Sequence, residues 1–177
     1  MNEPTMATES ALVVAVPNAE PVVGQLRRLY DPAATWGVPA HITVLYPFVA
    51  PDQIDNTVMT SLGDVFGRFE PFDFNLASVD QFGSEVLYIL PDPTDRFVAL
   101  TSAVTAAWPD YPPYEGAHDE VIPHLTVAHT GQGASFDAIR ARVRSELPIQ
   151  CRMESVDLMV GNMQPGSWHT VATFGLA

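Results

Sequence analysis

The pattern His-x-Thr-Val occurs twice, as "HITV" at 41–44 and "HLTV" at 124–127, each inside an apolar run and after a proline-containing turn. The copies lie 83 residues apart in a chain of 177. Short apolar runs bounded by turn residues read as strands. In a strand, residues i and i+2 project from one face, about 6.6 Å apart given a rise of ~3.3 Å per residue. His41 and Thr43 are thus expected side by side, with Ile42 and Val44 turned into a core. His124 and Thr126 repeat this over Leu125 and Val127. The chain is constrained to build two equivalent strands, each burying one face and offering an imidazole and a hydroxyl on the other.

The flanking pattern extends the repeat. "ALVVAVP" reads as a buried strand ended by Pro17, and residues 19–30 carry Val22, Val23, Leu26, Leu29 and Tyr30 at helical spacing. After the first motif strand, Ile54, Val58, Leu62, Val65, Phe66 and Phe69 mark an amphipathic helix, and "FDFNLASV" alternates as a half-buried strand. The second half follows the same order: "VLYIL", a helix with Phe97, Leu100 and Val104, the motif strand, a helix over 136–147, then "ESVDLMV" and a last strand "SWHTVATFGL". Each half reads strand, helix, motif strand, helix, strand. The expected organisation is a polar, flexible leader at 1–9 and a single bilobal domain at 10–177, with lobe-forming repeats at about 10–83 and 84–177.

Composition narrows the function. Hydrophobic residues at 47% supply a core, and the basic residues are eight Arg against 21 Asp plus Glu, a net charge of −13. That balance excludes gripping long nucleic acid by phosphate neutralisation, which needs clustered cations. A small anionic ligand held by local donors remains compatible with it. The single Cys151 allows no internal disulfide and no cysteine zinc cluster, and reads as a buried small hydrophobe. No basic signal region precedes the short apolar stretch at Leu12 to Val16, so the expected setting is cytoplasmic.

Two imidazoles from opposite walls, each beside a hydroxyl, have the inventory for acid–base work on a phosphodiester. With an ordinary pKa near ~6.5, one ring can be neutral while the other is protonated. The neutral ring takes a proton from water or a ribose hydroxyl, and the protonated one supplies the leaving oxygen. The two threonine hydroxyls donate to non-bridging phosphoryl oxygens. No carboxylate or thiolate set adjoins either motif, so neither metal nor cofactor is expected. One His-x-Thr pair is commonly structural; two at equivalent places in a duplicated unit point to a shared site.

The pair "HITV" and "HLTV", together with "HITVLYPF", "YPPYEG" and "PHLTVAH", resembles the two-histidine (2H) phosphoesterase superfamily of 2′-5′ RNA ligase-like proteins and cyclic nucleotide phosphodiesterases. The resemblance covers essentially the whole chain. It implies an α+β fold of two pseudo-symmetric lobes, each an antiparallel sheet with helices outside, around a central cleft. It implies His41 and His124 as the acid–base pair, with Thr43 and Thr126 binding phosphate, in metal-free chemistry on a 2′,3′-cyclic phosphate or a 2′-5′ linkage. Which histidine is acid and which base stays open. Relatives often carry Arg just after the second motif, where this chain has His129, so a small nucleotide or RNA terminus fits better than a long tRNA. The rival reading is a non-catalytic nucleotide-binding or regulatory module using the same cleft.

Tyr46, Phe82, Tyr114 and Trp168 are candidates for stacking on a base at the cleft rim. Strict alternation puts Tyr46 opposite His41 and Thr43, so it reaches the cleft only if the strand twists or bulges. The same parity puts His129 opposite His124, as a structural or exposed residue. His118 lies in an acidic loop, His169 in the last strand is a candidate supporting residue, and Arg140, Arg142 and Arg144 read as a solvated helix face.

Overall fold

The computed structural model describes residues 6–131 and 133–177. Among them the order is β1 (Glu9–Ala15), α1 (Glu20–Tyr30), α2 (Pro32–Trp36), β2 (His41–Leu45), α3 (Asn56–Phe66), β3 (Phe72–Phe82), β4 (Val86–Asp92), α4 (Asp95–Ala107), β5 (Leu125–His129), α5 (Phe136–Arg144), β6 (Ile149–Met153), β7 (Ser155–Gly161) and β8 (His169–Gly175). The strands form two four-stranded sheets, β2-β1-β7-β8 and β5-β4-β3-β6, antiparallel at every pairing. This is the α+β architecture of two antiparallel sheets that the family resemblance implies.

Residue patterns account for the elements that hold the site. β1 is buried on both faces because it is an inner strand: Leu12 and Val14 enter the main core, while Ala11 and Val13 join Val38, Met159 and Trp168 on the other face. Asp31 caps α2 by accepting from the Ala33 amide, and Asp55 caps α3 by accepting from the Val58 amide. Gly37 ends α2 at φ +105°, where a Cβ would press on the Trp168 carbonyl. The main core takes side chains from both sheets and from α1, α3, α4 and α5, so the two sheets share one interior.

The halves are spliced together. β3 turns at Gly83 (φ +52°) straight into β4 and pairs with it from Asn75↔Asp92 to Phe82↔Val86, which places it in the second half's sheet. The position beside β1 is filled by β7 from the second half. The expected lobe repeats, 10–83 and 84–177, therefore do not coincide with the sheets: a three-residue connection makes the local hairpin, β3 crosses to the second half's sheet, and β7 and β8 cross to the first half's. The helices cross as well, with α1 packed on β5 and α4 on β2.

Two elements escape the sequence reading. α2 is little more than one turn, and β6 is five residues directly after Pro148. The expected leader at 1–9 is described only from residue 6 onward. Residues 1–5 lie outside the described residues, but the Thr8 amide donates to the Gly161 carbonyl at 2.9 Å, Asn162 Nδ2 donates to the Met6 carbonyl at 3.1 Å, and Glu9 opens β1.

One buried bond ties α4 to the first motif strand: the Thr101 hydroxyl donates to the Val44 carbonyl at 2.7 Å. Thr101→Val keeps the shape and removes that donor from a buried acceptor. It should lower the free energy of unfolding by about 1–3 kcal/mol, read from urea denaturation.

Candidate active site

β2 and β5 are edge strands of different sheets and pack against each other, so both motifs meet at the seam of the molecule. Each strand carries a bulge just after its threonine. On β2 the register passes from Val13↔Thr43 to Leu12↔Leu45, leaving Val44 as the extra residue. On β5 it passes from Tyr88↔Thr126 to Leu87↔Ala128, leaving Val127. A bulge inserts one residue and reverses the alternation beyond it. Accordingly Ile42, Val44 and Leu45 are all buried in the main core, as are Leu125, Val127 and Ala128. Tyr46 thus returns to the face of His41 and Thr43, as the bulge condition required. His129 returns to the face of His124, which corrects the expectation that parity turns it away.

The two imidazoles are held identically. His41 Nδ1 is 2.7 Å from the Pro39 carbonyl, and His124 Nδ1 is 2.7 Å from the Ile122 carbonyl. A carbonyl only accepts, so each Nδ1 carries the hydrogen and each Nε2 is left for chemistry. Burial lowers the His41 pKa from 6.5 to about 4, helped by the Arg27 charge and by His124, and opposed by the Pro39 bond and Asp31. His124 is lowered too, by burial first and by His129, against the Ile122 bond. Thr43 and Thr126 are half-buried on the same faces.

Around the rings the structure sorts the aromatic candidates. Phe82 meets His124 edge-on at 4.9 Å, and Tyr88, not singled out in the sequence, lies 5.3 Å from the same ring. Nothing in the run "VLYIL" distinguishes Tyr88 from a core residue. Tyr46 and Trp168 stand 6.4 Å apart, and with Trp36 and Met159 they wall a cavity of about 150 Å³ whose lining includes His41 and Thr43. Gly161 lies against the Trp168 ring with no room for a Cβ. Tyr114 does more than line a rim: its amide donates to the Tyr46 carbonyl at 2.8 Å, and its hydroxyl lies near enough to Thr43 for the two to interact. Tyr114 and Glu115 hold left-handed φ values of 52° and 56° to make that reach, a backbone choice that costs free energy outside glycine.

Other candidates fall away from the seam. His169 is exposed on β8, at the far edge of its sheet from β2, about 14 Å off at ~4.8 Å per strand, with Nδ1 3.2 Å from the Ser167 carbonyl. His118 is exposed and stacks edge-on against Tyr114 at 5.7 Å. Arg140 and Arg142 reach Gln81 and Gln25, at the exposed edges of the molecule. Among the described residues no group of three or more His, Cys, Asp or Glu side chains could hold a metal ion, and no helix is long and apolar enough to cross a membrane.

Comparison with known proteins agrees with this geometry. The family profile described as "2′-5′ RNA ligase superfamily" matches residues 15–164, and the chain belongs to that superfamily. A Bacillus cereus (strain G9842) protein named "Putative phosphoesterase" is 28% identical over 157 residues, covering 85% of this chain and 86% of its own. A Bacillus cytotoxicus protein of the same name is 27% identical over 121 residues, 67% of each chain. The fold is shared with TT0787 of Thermus thermophilus (TM-score 0.66, 17% identity, 94% of this chain and 97% of that one). It is also shared with E. coli LigT crystallised with 3′-AMP (TM-score 0.63, 13% identity, 97% and 99%).

A folded-state pKa below the unfolded value means that the unfolded chain binds the extra proton first as pH falls. With His41 lowered from 6.5 to about 4, its contribution is fully present above 6.5 and is lost as pH falls toward 4, on the order of 3 kcal/mol in all. Urea unfolding at several pH values should show a shallower loss over that window in His41→Gln than in the unsubstituted protein.

Proposed function

We propose that this chain is a metal-independent phosphodiesterase that opens a 2′,3′-cyclic phosphate or cleaves a 2′-5′ linkage in a nucleotide or at an RNA terminus. What carries the reading is the duplicated lock on the rings: two imidazoles at one seam, each with Nδ1–H held by the carbonyl two residues back and Nε2 presented. One Nε2, unprotonated, takes a proton from water as its oxygen attacks phosphorus. The other, protonated, gives its proton to the ribose oxygen as the P–O bond breaks. Thr43 and Thr126 donate to the non-bridging oxygens, where charge concentrates in the transition state. Tyr114 stands beside Thr43, held there by the hydrogen bond from its amide to the Tyr46 carbonyl.

The cavity walled by Tyr46 and Trp168 matches in volume one that accommodates a single benzene-sized ring. It supports a small nucleotide as substrate, with Phe82 covering the opposite ring. The E. coli LigT structures with 3′-AMP, NADP+ and ATP support the same ligand class. A net charge of −13 argues for a short substrate engaged at one phosphate.

Assay of 2′,3′-cyclic mononucleotides and 2′-5′ dinucleotides in EDTA tests the reading. Turnover should persist with chelator and fall about 10²–10⁴-fold in His41→Ala and in His124→Ala, and about 10²–10³-fold in Thr43→Val. Because burial lowers both rings, the kcat/KM profile should be bell-shaped with its maximum on the acid side of pH 6.5. Tight binding without turnover would instead make the chain a nucleotide-binding module, and loss of activity on chelation would make it a metalloenzyme.

A further inference from the structure

Behind His41 lies a charged pair that no motif announces. Arg27, in the last turn of α1, and Asp31, at its end, are 2% and 3% exposed. Arg27 Nε donates to Asp31 Oδ2 at 2.9 Å and Nη1 donates to the Val38 carbonyl at 3.2 Å. Nη2 is buried and finds no acceptor among the described residues. Asp31 Oδ1 accepts from the Ala33 amide at 3.1 Å and lies 3.6 Å from His129 Nε2 on β5. A buried ion pair is a poor source of stability, since desolvation offsets most of the attraction and apolar replacements often do as well. Its placement therefore calls for another account.

That account is in the residues it holds. The Val38 carbonyl gripped by Arg27 immediately precedes Pro39, whose own carbonyl takes the His41 Nδ1–H. The Val38 amide donates to the Ala33 carbonyl at 3.0 Å and the Ala40 amide to Glu20 Oε1 at 2.7 Å. The approach to β2 is thus pinned from both α1 and α2. Asp31 extends the arrangement across the seam to His129, two strand residues beyond the second bulge.

We propose that Arg27 and Asp31 are positioning residues for His41: the guanidinium fixes the Val38–Pro39 segment, and so decides which nitrogen of the ring bears the hydrogen, while Asp31 holds the guanidinium and ties it to β5. The role rests on the catalytic reading of His41, yet it makes predictions that need no substrate. The charges acting on that ring are Arg27 and Asp31 from α1, with His124 across the seam, and Glu20 one residue away at Ala40.

NMR titration of His41 in the full chain, with ring-nitrogen shifts reporting the tautomer, tests it. Arg27→Met removes a repelling cation, so the His41 pKa should rise; Asp31→Asn removes an attracting anion, so it should fall. Arg27→Lys keeps the charge without the planar fork, and should hold the pKa near its original value while the Nδ1–H preference weakens. If Arg27→Met leaves Asp31 buried, unpaired and the chain unfolded, Arg27→Met/Asp31→Asn removes both charges and should still show a mixed tautomer. Shifts of the two single variants in the same direction, or an unchanged Nδ1–H tautomer in the double variant, would overturn the proposal. A chain that titrates as described yet turns over no phosphodiester would instead refute the catalytic reading and leave the positioning role standing.

Discussion

An imidazole has two nitrogens and, when neutral, one hydrogen to place; at both motifs a carbonyl 2.7 Å from Nδ1 decides the matter. That bond is local, spanning two residues, but its direction depends on how the chain enters the strand. Pro39 and Pro123 limit the backbone there, one supplying the accepting carbonyl and the other following it. The burial that sharpens the bond also strips the rings of their protons, since a charged imidazole out of water is costly. Orientation and acidity are thus set by one act of packing, and the rest of the seam is arranged around it.

The bulges at Val44 and Val127 show how a strand can serve two masters. An unbroken alternation would give the core every second residue and leave Tyr46 and His129 facing inward. One inserted residue sends two successive side chains into the core and returns the next to the site. The first bulge brings an aromatic wall to His41, the second a histidine within reach of Asp31. The pseudo-symmetry holds in the backbone while the side chains it delivers differ, so equivalent strands build unlike halves of one site.

Much of this was legible in the sequence because the signals were periodic and repeated. Two copies of His-x-Thr-Val in apolar runs located the strands, the recurrence of the flanking order gave the duplication, and the family resemblance implied the α+β architecture. Features resting on a single residue or a distant contact were not legible. Parity failed for His129 because a bulge leaves no compositional mark in "HLTVAH". β6 alternates Ile149, Cys151 and Met153 for only five residues, too few to stand out after Pro148. Arg27 reads as an ordinary helix-terminal cation, favourable to the dipole, until the fold buries it against Val38. The exchange of strands between the sheets was not legible, because periodicity marks strands without revealing their partners.

The crossing of β3 and β7 into each other's sheets ties the two halves of the sequence together. Lobes joined by a linker can swing; these are sewn together by ladders running from Asn75 to Phe82 on one side and Glu9 to Val13 on the other. Each ladder lies within one sheet, so what holds the seam between β2 and β5 is the interior the two sheets share, with α1 packed on β5 and α4 on β2. Neither half severed from the other retains a complete sheet.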